Sequence, residues 1–464
     1  MEIQKKIMAA EDRLSDLPDS LLIYILSKLW DDSKAVVRTS VLSTRWRFLW
    51  MSVEVSLNYD LPRSSNGCSE KDVSDFIASI NRELYYWRSF QKTLRFRCIL
   101  PRYDKSYVKD VDLWVHFATK IANVECFTLG FDRESNPRYE FPPFAYKNKS
   151  LKSLILMKCE LKPSGSINWS SLNFLSMASL NLTDDVLEKV LSGCPNLEHL
   201  ELENVLGISR LEVTSVKLTY LSIKNYQNEN DDVRLEILAP HLKCFELSGF
   251  CDEICLQQRN VASLIRARIF LKFDSQDKSR NLEEERSYFK ELLHGVGHVE
   301  DLELGPWCIQ CMSILELEGW QSPPSSRKFL KLNTSIEPPD FPGIYSFLQS
   351  SLDLETLVID WYNYNVRIFL YTYEDEDSWS FETHFNCSLR HLKTIKFINF
   401  SGPLNEEESL QSLVKYLLKN ATVLEKFVIV VSRGCGALWD YAKMEQEFQS
   451  FPRSSPHASV VFSY

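Results

Sequence analysis

One returning pattern constrains this chain more than any other feature. LKSLILMKCEL starts at Leu151, LNFLSMASLNL at Leu172, LEHLELENVLG at Leu197, LTYLSIKNY at Leu218 and LKCFELSGF at Leu242, so the starts lie 21, 25, 21 and 24 residues apart. In L-x-x-L-x-L the leucines of a short strand point to one side and the residues between them point to the other. No single copy can bury its own leucines, so successive copies must stack and share one core. Looser copies follow: VEDLELGPW at Val299, FLKLNTSI at Phe329, LETLVIDW at Leu354, LKTIKFINF at Leu392 and LEKFVIVVS at Leu424. Helical stretches separate some of them, at 281–293 and 406–418.

The spacing falls within the roughly 20–29 residues of a leucine-rich repeat. It predicts an α/β chain: a curved solenoid with a strand plus a helix per repeat. The same rhythm precedes Leu151. A helical pattern of Val73, Phe76, Ile77, Ile80 and Leu84 leads to a strand at 94–99, and a helix near 111–122 leads to a strand at 124–129. Residues 60–71, DLPRSSNGCSEK, form a polar, turn-rich bridge before this rhythm begins.

The stretch from Asp12 to Val53 has a different character, that of three short helices. Leu21, Leu22, Ile25, Leu26 and Leu29 recur at helical spacing after Pro18. Ser33 is placed to cap a second helix carrying Val37 and Val41, and Ser43 a third carrying Trp46, Leu49 and Trp50. A unit of about 40 residues is at the lower limit for hiding its own apolar surface. Its surplus therefore meets either the following domain or a separate partner.

The order of residues narrows the choice. Asp12-Arg13-Leu14-Ser15, Leu17-Pro18-Asp19, Leu22, Ile25-Leu26-Ser27, Val37-Arg38-Thr39-Ser40-Val41-Leu42-Ser43 and Arg45-Trp46-Arg47 with Leu49-Trp50 resemble an F-box of the plant type. Where that family usually has a proline-containing link between its first two helices, this chain has Trp30-Asp31-Asp32-Ser33. The resemblance implies docking onto a Skp-type adaptor and, through it, a cullin–RING ubiquitin ligase. It places Leu14, Leu17, Pro18, Leu22 and Ile25 at that contact, with Val41, Leu42, Trp46 and Trp50 holding or extending it. A second resemblance lies at the other end. Leu389-Arg390-His391-Leu392, Phe400-Ser401-Gly402, Leu413–Ala421, Leu424-Glu425-Lys426 and Phe451-Pro452-Arg453 look like an FBD domain, a companion of plant F-box proteins. The resulting expectation is a flexible tail (1–11), an F-box (12–58), a linker (59–71), a repeat solenoid (72–375) and an FBD cap (376–464).

Composition argues against several classes. A net charge of −10 disfavours a broad nucleic-acid or anionic-membrane surface. The first residues, MEIQKKIMAAEDRL, lack the apolar core of a signal peptide, and no run reaches the roughly 18 apolar residues of a membrane helix. The expectation is a soluble intracellular protein of nucleus or cytoplasm. There its twelve cysteines would be reduced, small buried hydrophobes. His294, His298, Cys308 and Cys311 are the sharpest metal candidates, but their spacing matches no recognised finger and no metal is expected. Cys251 and Cys255 make a weaker pair. No G-x-S-x-G, H-E-x-x-H or phosphate-loop motif occurs, and neither an enzyme nor a cofactor is expected.

Trp361, Tyr362, Tyr364, Tyr371, Tyr373 and Trp379 crowd into one stretch. Trp and Tyr are favoured at binding hot spots, so these residues and the outward positions of the repeat strands are the candidates for contacting a target protein. Two functions stand: a substrate receptor of a ubiquitin ligase, or a leucine-rich scaffold binding protein or ligand without one.

Overall fold

The structure, a computed structural model, describes residues 17–29, 32–61, 69–88, 93–134, 136–227, 234–250, 254–272, 282–334, 336–361, 388–401, 407–432 and 441–463. The chain divides into two compact units, Met1–Glu198 and His199–Tyr464.

The first unit opens with three short helices, α1 (Asp19–Leu26), α2 (Ser33–Arg38) and α3 (Trp46–Leu49). Pro18 stands just outside α1, and its carbonyl accepts from the N–H groups of Leu21 and Leu22 at 2.9 and 3.1 Å. The cap of α2 is Asp32, whose carboxylate accepts from Ala35 N–H at 2.8 Å, and not Ser33, which is already helical. A carboxylate at this position also complements the positive end of the helix. Ser43 Oγ accepts from Trp46 N–H at 3.4 Å and opens α3 as expected. Leu22, Leu26, Trp46, Leu49 and Val53 form the core of this small bundle, with Leu17, Ile23 and Trp50 packed against it.

A strand follows where a linker was expected to begin: β1 (Val55–Asp60) crosses the 58/59 boundary. Its alternation is only six residues long, too short to register against the helical pattern before it. Helix α4 (Glu70–Trp87) is launched by a capping box of Ser69 and Asp72 and buries Ile77, Ile80, Leu84 and Trp87. Then come β2 (Thr93–Leu100), α5 (Val108–His116), β3 (Cys126–Phe131), β4 (Ser153–Met157), β5 (Phe174–Ala178) and α6 (Asp184–Ser192). Strands β1 to β5 lie side by side in chain order, all parallel.

The second unit repeats the arrangement. Its strands are β6 (His199–Glu203), β7 (Tyr220–Lys224), β8 (Cys244–Gly249), β9 (Arg266–Leu271), β10 (Asp301–Leu304), β11 (Phe329–Thr334), β12 (Thr356–Trp361), β13 (Thr394–Phe400), β14 (Lys426–Val431) and β15 (Ser459–Ser463). They too are parallel and follow chain order. The leucine pattern explains the register: Leu200, Leu221 and Phe245 align, as do Leu202, Ile223 and Leu247, and all six are buried.

Each of the five tight repeats turns at the same place. Lys158, Ser179, Asn204, Asn225 and Gly249 stand seven residues after their leading leucines, and all five have positive φ. That conformation releases the chain from the strand, and the N–H of Asn204 then reaches the carbonyl of Lys224 at 2.8 Å. Asn and Gly adopt it at low cost, whereas Lys and Ser do so against a penalty of about 1 kcal/mol.

The expectation of one helix per repeat needs correction. Between β6 and β9 the return segments carry short strands, Arg210–Glu212, Leu235–Leu238 and Ile254–Cys255, paired as a separate parallel sheet. The alternation in RLEV and RLEIL favours extended backbone, and the short repeats leave little length for a helix. Helices return later as α7 (Leu282–Gly295), α8 (Pro306–Leu317), α9 (Phe341–Ser350), α10 (Glu407–Asn420) and α11 (Tyr441–Ser450). Helix α8 is buried almost all round. A Cβ on Gly343 would stand 2.2 Å from Ile309 O, so only glycine lets α9 approach this closely. Residues 394–463 (β13, α10, β14, α11 and β15) continue the same parallel sheet.

Candidate docking surface

The three N-terminal helices bury one set of apolar residues and leave another in solvent. Leu22 and Trp46 are fully enclosed. Both were expected at or near a partner contact, and Leu22 is corrected to the interior: its side chain closes the bundle core with Leu26 and Leu49. Trp46 supports the surface from beneath. Leu17 is half-buried against the same core, and Pro18 is exposed. Leu14 lies outside the described residues.

The solvent side is the unusual one. Val41 is 84% exposed, Leu42 59% and Ile25 37%. Leu21, Tyr24, Leu29 and Phe48 are exposed with them, on the same small unit. A 3-10 turn, Thr39–Val41, causes the most extreme case. It ends the second helix early, and Leu42 N–H reaches back only to Thr39 O at 3.0 Å, which leaves Val41 and Leu42 outside the bundle. Scattered exposed apolar residues are ordinary, but this density on about forty residues is not.

The bundle is braced from within. Arg45 pairs with Asp19 at 2.6 Å and ties α3 to α1, an exposed contact worth at most about 1 kcal/mol. Trp50 donates its indole N–H to Arg47 O at 2.9 Å and presents its ring edge-on to Trp87 of α4, 5.8 Å between centroids. Trp50 thus joins the helical bundle to the body behind it. Lys34, Arg38 and Arg47 are exposed on the bundle.

The other candidates fare differently. Trp361 is buried at the end of β12, its ring edge-on to Phe400 at 4.9 Å, so it is corrected from target contact to core. Tyr362, Tyr364, Tyr371, Tyr373 and Trp379 lie outside the described residues. Cys308 and Cys311 are sealed in α8. Burial pushes the Cys308 thiol up to about 12 and Cys311 well above the usual range, so neither is a thiolate at neutral pH. His298 Nε2 stands 3.2 Å from Val261 O, and His294 lies edge-on to Trp320. Cys255 sits 3.3 Å from Glu291, which Arg234 also binds at 2.7 Å. Among the described residues no group of three or more His, Cys, Asp or Glu is arranged to hold a metal ion, and no helix is long and apolar enough to cross a membrane.

The exposed positions Leu21, Tyr24, Leu29 and Phe48 were not singled out as contact residues from the sequence. Leu21 and Leu29 carried a signal, since they complete the stripe of the first helix; which residues of that stripe would stay uncovered was not readable from spacing.

Comparison with known proteins matches these features. A family model for the F-box domain matches residues 14–57, and one described as the At1g61320/AtMIF1 LRR domain matches residues 90–450. The Arabidopsis thaliana F-box/LRR-repeat protein At3g03360 is 32% identical over 365 residues, covering 75% of this chain and 70% of that protein. From the same plant, the F-box/FBD/LRR-repeat protein At5g44980 is 27% identical across 97% of this chain and 99% of its own length. The FBD-associated F-box protein At1g66310 is 27% identical across 97% and 96%.

Proposed function

From the premise that this chain belongs to the F-box/leucine-rich-repeat family, we propose that it is a substrate receptor of a cullin–RING ubiquitin ligase. The observation that carries the reading is the uncovered apolar surface of the N-terminal bundle, with Val41 and Leu42 at its most exposed point. The bundle docks on a Skp-type adaptor through Pro18, Ile25, Val41 and Leu42. Leu22 and Trp46 hold these residues in place from beneath. The repeats of 72–375 bind a target protein, and 376–464 form an FBD unit that closes the array.

The mechanism is positional. A target held by the repeats sits beside the charged ubiquitin-conjugating enzyme that the ligase recruits. Attack of a target lysine on the ubiquitin thioester then becomes effectively intramolecular. The receptor makes no covalent bond itself.

The test is reconstitution. Full-length protein mixed with a purified Skp-type adaptor should co-elute as a one-to-one complex and recruit a cullin–RING core. Separate elution at micromolar concentrations of both partners would refute the receptor reading.

A further inference from the structure

Strands β8 to β10 and β12 to β14 share a feature on their inward side. Each is preceded by an apolar side chain three residues ahead of its first inward residue: Leu242, Leu264 and Val299 before β11, and Leu354, Leu392 and Leu424 after it. All six are buried. In β11 the first inward residue is Leu330, and the corresponding place belongs to Arg327. Arg327 is 2% exposed, as enclosed as the leucines that hold this place on the neighbouring repeats.

A cation sealed among apolar side chains is costly unless an opposite charge and hydrogen-bond acceptors meet it. Arg327 meets neither. Its Nε and Nη1 are closed off from solvent with no hydrogen-bond partner among the described residues. Burial alone holds the guanidinium down at about 10, and no neighbouring carboxylate offsets it, so it is still a cation at neutral pH. The polar groups nearest in the chain are engaged elsewhere. A bridge between Ser325 and Ser351 aligns the two segments, and all their hydroxyl hydrogens go to main-chain carbonyls: Ser325 Oγ donates to Ser350 O at 3.2 Å, and Ser350 Oγ and Ser351 Oγ donate to Phe347 O. Lys328 is exposed and takes Glu300 at 3.3 Å, while Glu355 pairs with Lys393 at 3.1 Å.

We propose that Arg327 anchors an enclosed anion site on the inward side of the second unit's sheet, and that the site takes a phosphate- or sulfate-sized oxyanion. The guanidinium is a planar fork of donors, matched to two oxygens of such an ion. Away from water the attraction between the two charges is far stronger than at the surface. The small exposed remainder of Arg327 sets the size limit: a compact ion enters, and a nucleotide does not. The place exists only when β11 and its neighbours are stacked, so the ion binds the folded chain and stabilises it. This site is separate from the docking surface of the N-terminal bundle and stands or falls without it.

The experiment titrates inorganic phosphate into the full-length chain at constant ionic strength, with chloride as the reference ion and AMP as the larger phosphate. Calorimetry should show one phosphate bound per chain and displaced by sulfate. Saturating phosphate should raise the melting midpoint by about 5 °C over chloride, the shift expected of a ligand at about a hundred times its Kd. Arg327→Leu, which restores the apolar residue of the neighbouring repeats, should lose the calorimetric binding and the phosphate-specific shift. Arg327→Met, closer in length, should lose them too. Any rise in midpoint that these variants keep is the general effect of the salt and is subtracted. Hydrogen exchange of the parent chain locates the ion without a variant: phosphate should slow exchange most at 325–334 and 350–354. The inference is overturned if the parent binds no phosphate, if both variants respond as the parent does, if the slowing is uniform along the chain, or if AMP binds as tightly as phosphate.

Discussion

Replacing both Val41 and Leu42 by Asp should abolish adaptor binding without unfolding the chain. Full burial of a Val or Leu side chain contributes about 1.5–3 kcal/mol. Val41 is 84% exposed and Leu42 59%, so most of that contribution is still available to a partner. Scaling by exposure gives about 2 kcal/mol for Val41 and ~1.5 for Leu42. A contact covering both would lose roughly 3–4 kcal/mol, which is about 10²–10³-fold in Kd. Folding should barely register the change, because surface substitutions usually fall within about 0.5 kcal/mol. Titration calorimetry of the full-length variant against purified adaptor reads the first quantity, and a thermal melt followed by circular dichroism reads the second. Leu22→Asp is the informative contrast. It places a charge in the closed core beside Leu26, Trp46 and Leu49, and should melt the bundle and lose binding together. A double variant that binds adaptor within threefold of the parent, with an unchanged melt, would refute the assignment of this surface.

Three further outcomes follow from the interior. Lys331→Met removes the cation shared by Glu303 and Asp360, 13% and 14% exposed, leaving Glu303 its pair with Arg268 and Asp360 only the Asn399 amide; hydrogen exchange of β10–β12 should show a loss of about 1–2 kcal/mol, moderated by the remaining partners and by solvent. Ser179→Gly should stabilise the first unit by about 0.5 kcal/mol in urea unfolding, whereas Asn204→Ala should cost the second unit about 1 kcal/mol, since both positions hold positive φ. Cys308 and Cys311 should resist a thiol reagent at pH 8 in the native protein and react at once in urea, because burial raises both thiols and the neutral form persists until the fold opens.

The repeats were legible because a strand's period is two and its buried face cannot be shared with solvent. Leu154 and Leu156, or Leu200 and Leu202, announce themselves by spacing alone. The turn that closes each repeat left a weaker trace: Asn204 and Asn225 suit positive φ, but Lys158 and Ser179 adopt it only because the stacked neighbours fix the backbone around them. The return segments were harder still. Whether residues 204–219 go back as helix or strand depends on what packs beside them. Short strands at Arg210–Glu212 and Leu235–Leu238 satisfy each other's backbone only once both exist. Helix α8 shows the same limit in another form, since it is apolar on nearly every side and has no stripe to read.

The docking surface shows where periodicity stops and packing decides. Leu22 and Ile25 sit three residues apart on one helical stripe, and Val41 and Trp46 lie within six residues of each other. A sequence pattern treats each pair as equivalent. The bundle does not: it has volume for Leu22, Leu26, Trp46 and Leu49, and once these fill it, Ile25, Val41 and Leu42 have nowhere inward to go. Their exposure is therefore a consequence of a core already complete. Enlarging that core, for example by Trp46→Ala, should not draw Val41 inward, because the turn at Thr39–Val41 fixes its direction. It should instead leave a cavity costing about 3–5 kcal/mol and loosen the whole face. If Trp46→Ala weakens adaptor binding only in proportion to the fraction of bundle unfolded, the indole acts purely as a support. Loss beyond that proportion would mean it also reaches the partner.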